Sequence, residues 1–166
     1  ISAPGLDNLS DADLRELSSI LNWNCFTVDN KGRRFGNRAK VAKREAPQRI
    51  PDARIEMLDK LLGLKGKRVL EFGCFEGVHT IGLSLLGAEV TGVDSRVENI
   101  VKTMVRSGLY GVSPKVFLAD VDRYPLDSRL DEHDISFHCG VLYHLIDPVR
   151  HLHDEGMPGQ RGPQSR

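Results

Sequence analysis

The sequence is poor in the features that mark secreted, membrane or zinc-ribbon proteins. It has three cysteines in 166 residues, and they are scattered without the C-x-x-C spacing of a zinc or redox pair. It has no signal peptide and no long apolar run. The 23 basic residues balance the 23 acidic ones, so the net charge does not indicate a polyanionic partner. We therefore expect a reduced, cytoplasmic protein without a membrane partner.

The length fits a single domain, and the composition of the sequence changes twice along the chain. We expect an N-terminal helical and basic extension at 1–50, a cofactor-binding core at 51–153 and a disordered tail at 154–166, where glycine and proline are frequent. Because the chain begins with Ile1 and not with Met, we also expect a fragment of a longer protein.

A strand–helix–strand unit lies in the middle of the chain. Residues 68–72 are a short run of strand formers, and residues 78–86 follow with a helical periodicity that stops at Gly87. A second buried-type strand covers 88–93 and ends at Asp94. A glycine-containing first turn and an acid after the second strand are typical of a site for an adenosine-bearing cofactor.

The loop after the first strand distinguishes two cofactor classes. A dinucleotide site needs glycine at the second position of G-x-G-x-x-G, where the backbone approaches the pyrophosphate, and Phe75 occupies that position. Glu76 follows it and Glu71 lies near the end of the strand, and carboxylates repel phosphates. The same acids favour the ammonium and sulfonium groups of S-adenosylmethionine. The residues therefore favour S-adenosylmethionine over a dinucleotide.

Helices are predicted on both sides of this unit. A capping box at Ser10–Asp13 opens a helix that we interpret as a packing element, and a lid over the cofactor with Trp23 and Phe26 as its contacts is the alternative. Residues 51–62 read as a second helix. A capping box at Ser95–Glu98 opens a third, whose apolar stripe predicts a core-facing crossover helix. The stripe consists of Val97, Ile100, Val101, Met104 and Val105.

A basic run lies within residues 31–49, where eight lysines and arginines stand against the single acid Glu45. We interpret the run as a solvated face. The alternative is a patch for an anionic substrate such as RNA or a phosphorylated metabolite. Within the run only Phe35 is available to stack on a base, so the signal for nucleic-acid binding is weak.

Two further strands are predicted at 115–119 and 134–138. Ligands of open α/β sheets bind beyond the carboxyl ends of the strands, so we expect Asp94 to accept from the ribose hydroxyls, and Asp120 and the Val121 amide to bind the adenine. The full set of expected cofactor-binding residues is Glu71, Gly73, Phe75, Gly77, Asp94, Ser95, Asp120, Val121 and Cys139.

Two motifs give the sequence a family resemblance. Glu71-x-Gly-x-x-x-Gly77 resembles the first motif of class I S-adenosylmethionine-dependent methyltransferases, and Gly140-Val-Leu-Tyr-His144 is similar to the segment after their fourth strand. A nearer likeness is to the enzymes that modify the wobble uridine of tRNA by carboxymethyl transfer, over about residues 50–153. The resemblance implies an α/β, doubly wound, mostly parallel, Rossmann-like sheet. It is truncated here, since only four of the family's seven strands can be found.

The resemblance also implies a methyltransferase whose acceptor is a small molecule or an RNA-borne group, with methyl and carboxymethyl transfer both open. If the acceptor is protonated, the available bases are His138, Tyr143 and His144. A non-catalytic cofactor-binding fragment is the alternative function. His144, His151 and His153 have no carboxylate or cysteine partner nearby in the sequence, so we expect no metal site.

The family's strand order places the fourth strand beside the first, and the fifth strand normally covers its other side. In this sequence the fifth strand is absent, so residues 134–138 are expected to form an open edge without Lys or Pro to block pairing. We therefore predict self-association through this strand or the surface around it.

Overall fold

The computed structural model describes residues 5–36, 46–123, 130 and 133–155 of the chain. Two 3-10 turns, at Leu6–Asn8 and Leu142–His144, accompany the helices and strands. In chain order these elements are α1 (Asp11–Ile20), β1 (Phe26–Val28), β2 (Arg34–Gly36), α2 (Ala53–Leu62), β3 (Arg68–Phe72), α3 (Val78–Leu85), β4 (Glu89–Asp94), α4 (Val97–Leu109), β5 (Lys115–Leu118), β6 (Ile135–His138) and α5 (Pro148–Glu155).

Four strands form one parallel sheet in the order β5-β4-β3-β6. The register pairs Phe72 of β3 with Val93 of β4 and with His138 of β6, so the carboxyl ends of these strands lie side by side. The predicted α/β class, the four core strands and their order (third, second, first, fourth) are confirmed. Among the described residues β6 has a neighbour on one side only.

Apolar clusters cover both faces of the sheet. Leu70 and Phe72 of β3 pack with Val93 on one face, and Val69 packs with Ile55 of α2 on the other. The two sets separate because side chains along a strand alternate between faces. All five side chains are almost fully buried, which is the environment that a parallel sheet requires.

Helix α2 begins two residues later than predicted. Asp52 is its N-cap, and the carboxylate accepts from the amides of Arg54 and Ile55 at 3.0 and 3.1 Å. The helix ends at Gly63, which has a φ of 65°, as the glycine stop indicated. No helix in the described part of the chain is long and apolar enough to cross a membrane.

Helix α5 begins at Pro148, as predicted, and the Asp147 carboxylate accepts from the amide of Arg150 at 2.9 Å. The helix extends to Glu155, so residues 154 and 155 belong to it and not to the expected disordered tail. The remainder of that tail, 156–166, lies outside the described residues, as does the central part of the basic run, 37–45.

Residues of the N-terminal extension form a small apolar cluster with α4. Ser10 caps α1, and Leu14 of this helix packs with Trp23, Phe35 and Leu109 in a buried cluster. This arrangement agrees with the interpretation of α1 as a packing helix. The antiparallel pair β1–β2 was not predicted. Each of its strands has three residues, which is too short for an alternating pattern to stand out.

The prediction that the apolar stripe of α4 faces the core is wrong for three of its five residues, whereas Val105 packs against the buried cluster of the N-terminal extension. Val97, Val101 and Met104 are 61%, 40% and 59% exposed, whereas Lys102 and Arg106 on the other side of the helix are buried. The capping box is also wrong, because the helix has no side-chain cap and begins at Val97. The helix turns its polar side inward because its two buried cations are bound to a carboxylate of the β3–α3 loop, as described below.

Candidate cofactor site

A cavity of about 950 Å³ opens at the carboxyl ends of the sheet strands. Its lining includes Gly73 after β3, Asp94 at the end of β4, Val121 beyond β5 and Cys139 after β6. Cys25 of the N-terminal segment contributes to another wall. Each strand of the parallel sheet therefore delivers a residue to one space, at the edge where open α/β sheets bind ligands.

Eight of the twelve residues predicted from the sequence line this cavity, and four do not. The eight are Gly73, Phe75, Asp94, Ser95, Val121, Cys139, Tyr143 and His144. The four that do not line it are Glu71, Gly77, Asp120 and His138. The Asp120 carboxylate accepts from the amide of Asp122 at 3.1 Å, which is a local turn contact.

The first backbone amides of the loop between β3 and α3 already donate hydrogen bonds within the protein. Those of Gly73 and Cys74 donate to the Val93 carbonyl at 2.8 and 3.0 Å, and the Phe75 amide donates to Asp94 Oδ2 at 3.0 Å. A pyrophosphate at this position would need free backbone donors. Because these three amides are already bound, the loop is unsuited to a dinucleotide.

Two glycines allow the loop to approach its neighbours. Gly73 has a φ of 73°, and a Cβ there would lie 3.0 Å from Val141 Cβ. At Gly77, with a φ of 77°, a Cβ would lie 2.9 Å from Thr103 Cγ2. Phe75 adopts a φ of 52°, which is unusual for a bulky residue. Its partly exposed ring lines the cavity where a dinucleotide loop has glycine.

Asp94 is the acid that the first two strands bring to the cavity. Its Oδ1 accepts from the Arg96 amide and from Asn99 Nδ2, both at 2.9 Å, and its Oδ2 accepts from the Phe75 amide. An ionised carboxylate has about four acceptor positions, so roughly one remains for a ligand. The carboxylate is therefore oriented by the protein before any ligand binds.

Glu71 lies beneath the cavity and does not line it. The side chain is almost fully buried on β3, and Thr80 Oγ1 donates to Glu71 Oε2. Burial raises the pKa of this carboxyl to about 7, the nearby charge of Asp94 adds to the shift, and the hydrogen bond from Thr80 opposes it. A carboxyl with this pKa changes its charge near neutral pH.

Glu76 has a different role from the one that the sequence suggested. It is fully buried, and its carboxylate accepts from the amides of Asn24 and Cys25 at 2.7 and 2.8 Å. Lys102 Nζ and Arg106 Nη2 of α4 lie 3.0 and 3.1 Å from its oxygens. Its negative charge is thus neutralised by the protein, and the argument that it repels phosphate is corrected. The exclusion of a dinucleotide depends instead on the bound loop amides.

Arg106 joins the N-terminal segment to the loop. Its Nε donates to the Glu76 carbonyl at 3.0 Å, and its Nη1 donates to Thr27 Oγ1. The guanidinium lies 4.9 Å from the ring centroid of Trp23 and 5.4 Å from that of Phe35. The buried cations of α4 were missed by sequence reasoning, because a lysine or arginine on an amphipathic helix normally faces solvent.

A second charged cluster, formed by Asp52, Arg54 and His79, lies on the cavity wall and was also missed. Arg54 Nε donates to Asp52 Oδ2 at 2.9 Å, and its Nη1 donates to the Sγ of Cys139 at 3.0 Å. His79 Nε2 lies 2.9 Å from Arg54 Nη2. Burial lowers the pKa of His79, which favours a neutral ring that accepts from the guanidinium. The three residues stand in the first turns of two helices, and no sequence motif links them.

His138 faces away from the cavity. Its ring stacks on Phe72 at 4.6 Å and meets His151 edge-on at 5.0 Å. Burial lowers its pKa to about 4, and the neighbouring His151 contributes to the shift. This position corrects its assignment as a base for the acceptor. Within the described ranges no group of three or more His, Cys, Asp or Glu side chains is arranged to hold a metal ion.

Tyr143 and His144 lie on a short 3-10 turn at the mouth of the cavity. Their ring centroids are 4.3 Å apart, and Tyr143 is 77% exposed. The His144 amide donates to the Val141 carbonyl at 2.8 Å, which fixes the backbone of the turn. Of the three catalytic candidates, these two line the cavity and His138 does not.

Comparison with known proteins gives relatives of one chemical class. No protein-family model matches the chain. It is 29% identical over 129 residues to the tRNA U34 carboxymethyltransferase of Saccharophagus degradans, which covers 70% of this chain and 40% of the relative. It is 44% identical over 99 residues to the ubiquinone biosynthesis O-methyltransferase of Pseudomonas syringae pv. syringae, which covers 60% of this chain and 42% of the relative. The chain thus spans less than half the length of these relatives.

A solved structure supports the same fold. The N-terminal domain of EvdMO1 with SAH bound has a TM-score of 0.67 and 24% identity, and the match covers 92% of this chain and 63% of that one. The predicted resemblance is therefore confirmed: in sequence and fold the chain resembles the class I S-adenosylmethionine-dependent methyltransferases, with a local resemblance to the group that modifies tRNA wobble uridine.

Proposed function

We propose that the chain is the cofactor-binding part of an S-adenosylmethionine-dependent methyltransferase. The observation that carries the proposal is the cavity at the carboxyl ends of four parallel strands, with a preorganised Asp94 at the end of the second core strand, β4. The relatives named above are methyltransferases, and the related EvdMO1 domain binds SAH. The acceptor is a small molecule or an RNA-borne group.

The residues of the cavity fit this cofactor. The acid at the end of β4 suits a ribose hydroxyl, and Val121 beyond β5 suits the adenine. Gly73 lets the backbone pass beneath the sulfur-bearing chain of the cofactor. A Cβ at this position would contact Val141, so only glycine fits there without displacing a neighbour. Glu71, buried below, offers a negative charge to the cofactor's cationic groups when it is ionised, above its pKa of about 7. Asp120 and Gly77 act on the shape of the loops and not through contact with the ligand.

When bound, S-adenosylmethionine supplies a methyl group on a positively charged sulfur. The protein aligns the two reactants and excludes water, since in-line displacement needs little covalent help. Tyr143 and His144 stand where an acceptor enters, and we assign to them the orientation of the acceptor or the removal of its proton. Neither methyl nor carboxymethyl transfer is favoured by these residues alone.

Titration calorimetry with S-adenosylhomocysteine tests the cofactor assignment. The wild-type chain should bind it, and Asp94→Ala should weaken binding by about 1–3 kcal/mol, the scale of lost hydrogen bonds to a charged group. A nicotinamide dinucleotide should not compete. Tight binding of the dinucleotide, or none of S-adenosylhomocysteine, would contradict the proposal.

Replacement of Tyr143 or His144 tests the acceptor side. If either acts on the acceptor, turnover should fall while the affinity for S-adenosylhomocysteine stays nearly constant. A parallel loss of affinity and melting temperature would indicate that the turn serves only the structure. Turnover against a panel of acceptors separates the enzyme from the second candidate, a non-catalytic cofactor-binding fragment.

Self-association through the surface around β6 is a further part of the proposal. β6 is an edge in the described sheet, and Ile146 and Val149, in the segment that follows it in the chain, are 89% and 76% exposed. Light scattering should report a dimer or a larger species, and Ile146→Lys with Val149→Lys should reduce it. Ile135→Lys is a poorer test, because Ile135 packs against the apolar cluster below the sheet. A monomer at high concentration would overturn this part.

The location in the cell that we propose is the cytoplasm. Cys25, Cys74 and Cys139, all within the described residues, form no disulfide, which is the usual state of cysteines in a reducing compartment.

A further inference from the structure

We propose that a ring cluster, formed by Phe72, His138 and His151, holds the acceptor turn at the cavity mouth, and that acid opens this contact. The acceptor turn is the short 3-10 segment whose Tyr143 and His144 line the cavity. His138 and His151 do not line the cavity themselves, so they act as positioning residues. The role of this turn rests on the proposed function, whereas the ring contacts and their response to acid do not.

The acceptor turn stands between two elements that the ring cluster joins. β6 ends at His138 before the turn, and α5 begins at Pro148 after it. The ring of His138 stacks on that of Phe72, with centroids 4.6 Å apart. The ring of His151, on α5, meets Phe72 edge-on at 4.7 Å and His138 edge-on at 5.0 Å. The two ends of the segment that contains the turn are therefore fastened to each other on one face of the sheet.

Few other side chains hold α5 on the sheet. Among the α5 side chains that the structure describes, His151 alone is buried, with 0% exposure, whereas Val149 is 76% exposed. Before the helix, Leu145 packs on the apolar cluster of the sheet, and the Ile146 amide donates to Asp122 Oδ1 at 2.9 Å. The helix itself is thus docked mainly through one imidazole.

The surroundings of the ring cluster disfavour a charged imidazole. Both ring nitrogens of His138 are buried, and neither has a hydrogen-bond partner among the described residues. Burial lowers the pKa of His138 to about 4, and the neighbouring His151 and His133 add to the shift. In water a histidine has its ordinary pKa of 6.5. Protonation therefore favours release of the ring from the cluster.

Nearby charged groups do not offset this effect. Asp122, beyond β5, is bound to a backbone amide of the segment that leads into α5. Glu71 of β3 points to the opposite face of the sheet from its neighbour in the ring cluster, because side chains alternate along a strand. Arg150 and His153 of α5 are exposed and add only positive charge. Within the described part of the chain, no acid lowers the cost of a proton on His138.

Hydrogen exchange of the α5 amides measures the opening of the contact. Between pH 6.5 and about pH 4, the opening equilibrium should rise about tenfold per pH unit for each histidine that gains a proton on opening. The rates are first corrected for the pH dependence of intrinsic exchange. The amides of β3 and β4 should keep their protection over the same range, because only the turn and α5 are released.

Replacement of the two imidazoles tests their role. His138→Phe with His151→Leu fills the ring cluster with apolar side chains, so the α5 opening equilibrium should vary by less than about twofold over that range. His153→Gln, which replaces an exposed histidine of the same helix, is the matched control and should keep the wild-type slope. If the double variant does not fold, each single variant should still show a shallower slope than wild type.

Three results would overturn the proposal. One is equal protection of α5 at about pH 4.5 and about pH 7.5. Another is a joint loss of protection in α5 and β3, which would mean that the whole sheet unfolds. The third is a wild-type slope in the double variant or in both single variants. If S-adenosylhomocysteine does not bind, the proposed function fails, but the acid-opened contact stands, because the exchange measurement uses the chain without ligand.

Discussion

Two charged clusters flank the cavity, and they differ in burial. The buried cluster of Glu76, Lys102 and Arg106 is almost inaccessible to water, with side-chain exposures of 0%, 1% and 0%. The wall cluster has exposures of 21% at Asp52, 64% at Arg54 and 19% at His79. Both clusters bring residues from separate elements together, and neither follows from a sequence motif.

The difference in burial indicates a difference in role. Charges taken out of water are tolerated only when each is paired and its remaining hydrogen-bonding positions are filled. Glu76 meets that requirement with two backbone amides and two cations, so the buried cluster has no position left for a ligand. The wall cluster is oriented by fewer contacts and keeps a donor on a thiol. The first cluster therefore fixes the fold around the loop, and the second is available for binding.

The largest expected effect is the loss of the buried carboxylate. Glu76→Ala would leave Lys102 and Arg106 buried without a partner and remove the acceptor of two backbone amides. We expect the free energy of unfolding to fall by about 3–5 kcal/mol, measured by urea denaturation.

Glu98→Ala is the matched control for that variant. Glu98 also pairs with Lys102, but its side chain is largely exposed. Its loss should change stability by less than about 1 kcal/mol. If the two variants lost similar stability, burial would not distinguish the Glu76–Lys102 ion pair from the Glu98–Lys102 ion pair. The difference in role that we infer for the two clusters would then lose its basis.

The next effect concerns Glu71 and depends on pH. Its pKa is about 7 in the folded protein and 4.5 in its ordinary state, so the folded chain retains a proton that the unfolded chain releases between these values. The free energy of unfolding should therefore fall as pH rises from about 4.5 to about 7, and stay level above it. Glu71→Gln removes the charge but can still accept from Thr80. We expect it to be more stable than wild type at pH 8 by about 2–3 kcal/mol.

The same comparison at about pH 3.5 is the control. Below both pKa values Glu71 is neutral in the folded and in the unfolded chain, so wild type and variant should unfold at nearly equal urea concentrations. A Glu71→Gln variant that is less stable than wild type at pH 8 would mean that the ionised carboxylate is stabilised by its surroundings. Glu71 would then be a carboxylate that the protein itself stabilises, like Glu76, and it would not be assigned to a cationic ligand.

A smaller effect is expected in the wall cluster. Asp52→Ala removes the N-cap of α2 and the partner of Arg54, and should lower the free energy of unfolding by about 1 kcal/mol. Asp52→Asn keeps a capping acceptor and should recover most of that stability. Urea denaturation of both variants gives the comparison. A loss as large as that of Glu76→Ala would place this cluster among the structural ones.

The sequence was sufficient for the elements whose signals are local. The strand at 68–72, the glycine loop and the acid at Asp94 were read from composition and spacing, and their sheet order followed from the family resemblance. The cavity combines residues from those same strand ends. The assignment of individual residues to cofactor and acceptor is a prediction that the calorimetric and turnover measurements test.

The features that were missed depend on contacts between distant parts of the chain. Arg54, His79 and Cys139 meet only after α2, α3 and β6 are in place. The role of Glu76 depended on Asn24 and Cys25, some fifty residues earlier. Periodicity reports how polar and apolar residues are distributed around a helix. It does not report which side meets a buried counter-ion.

The smallest expected effect tests that last point on α4. If its apolar stripe faced the core, replacing Met104 with Gln would cost more than 2 kcal/mol, as core truncations do. Because Met104 is 59% exposed, we expect the free energy of unfolding to change by less than about 0.5 kcal/mol. Lys102→Met, two residues away, preserves helix propensity but removes a cation bound to Glu76, and should destabilise the chain clearly. The reverse ranking of these two variants would mean that the helix is rotated, with its stripe inward and the buried cluster absent.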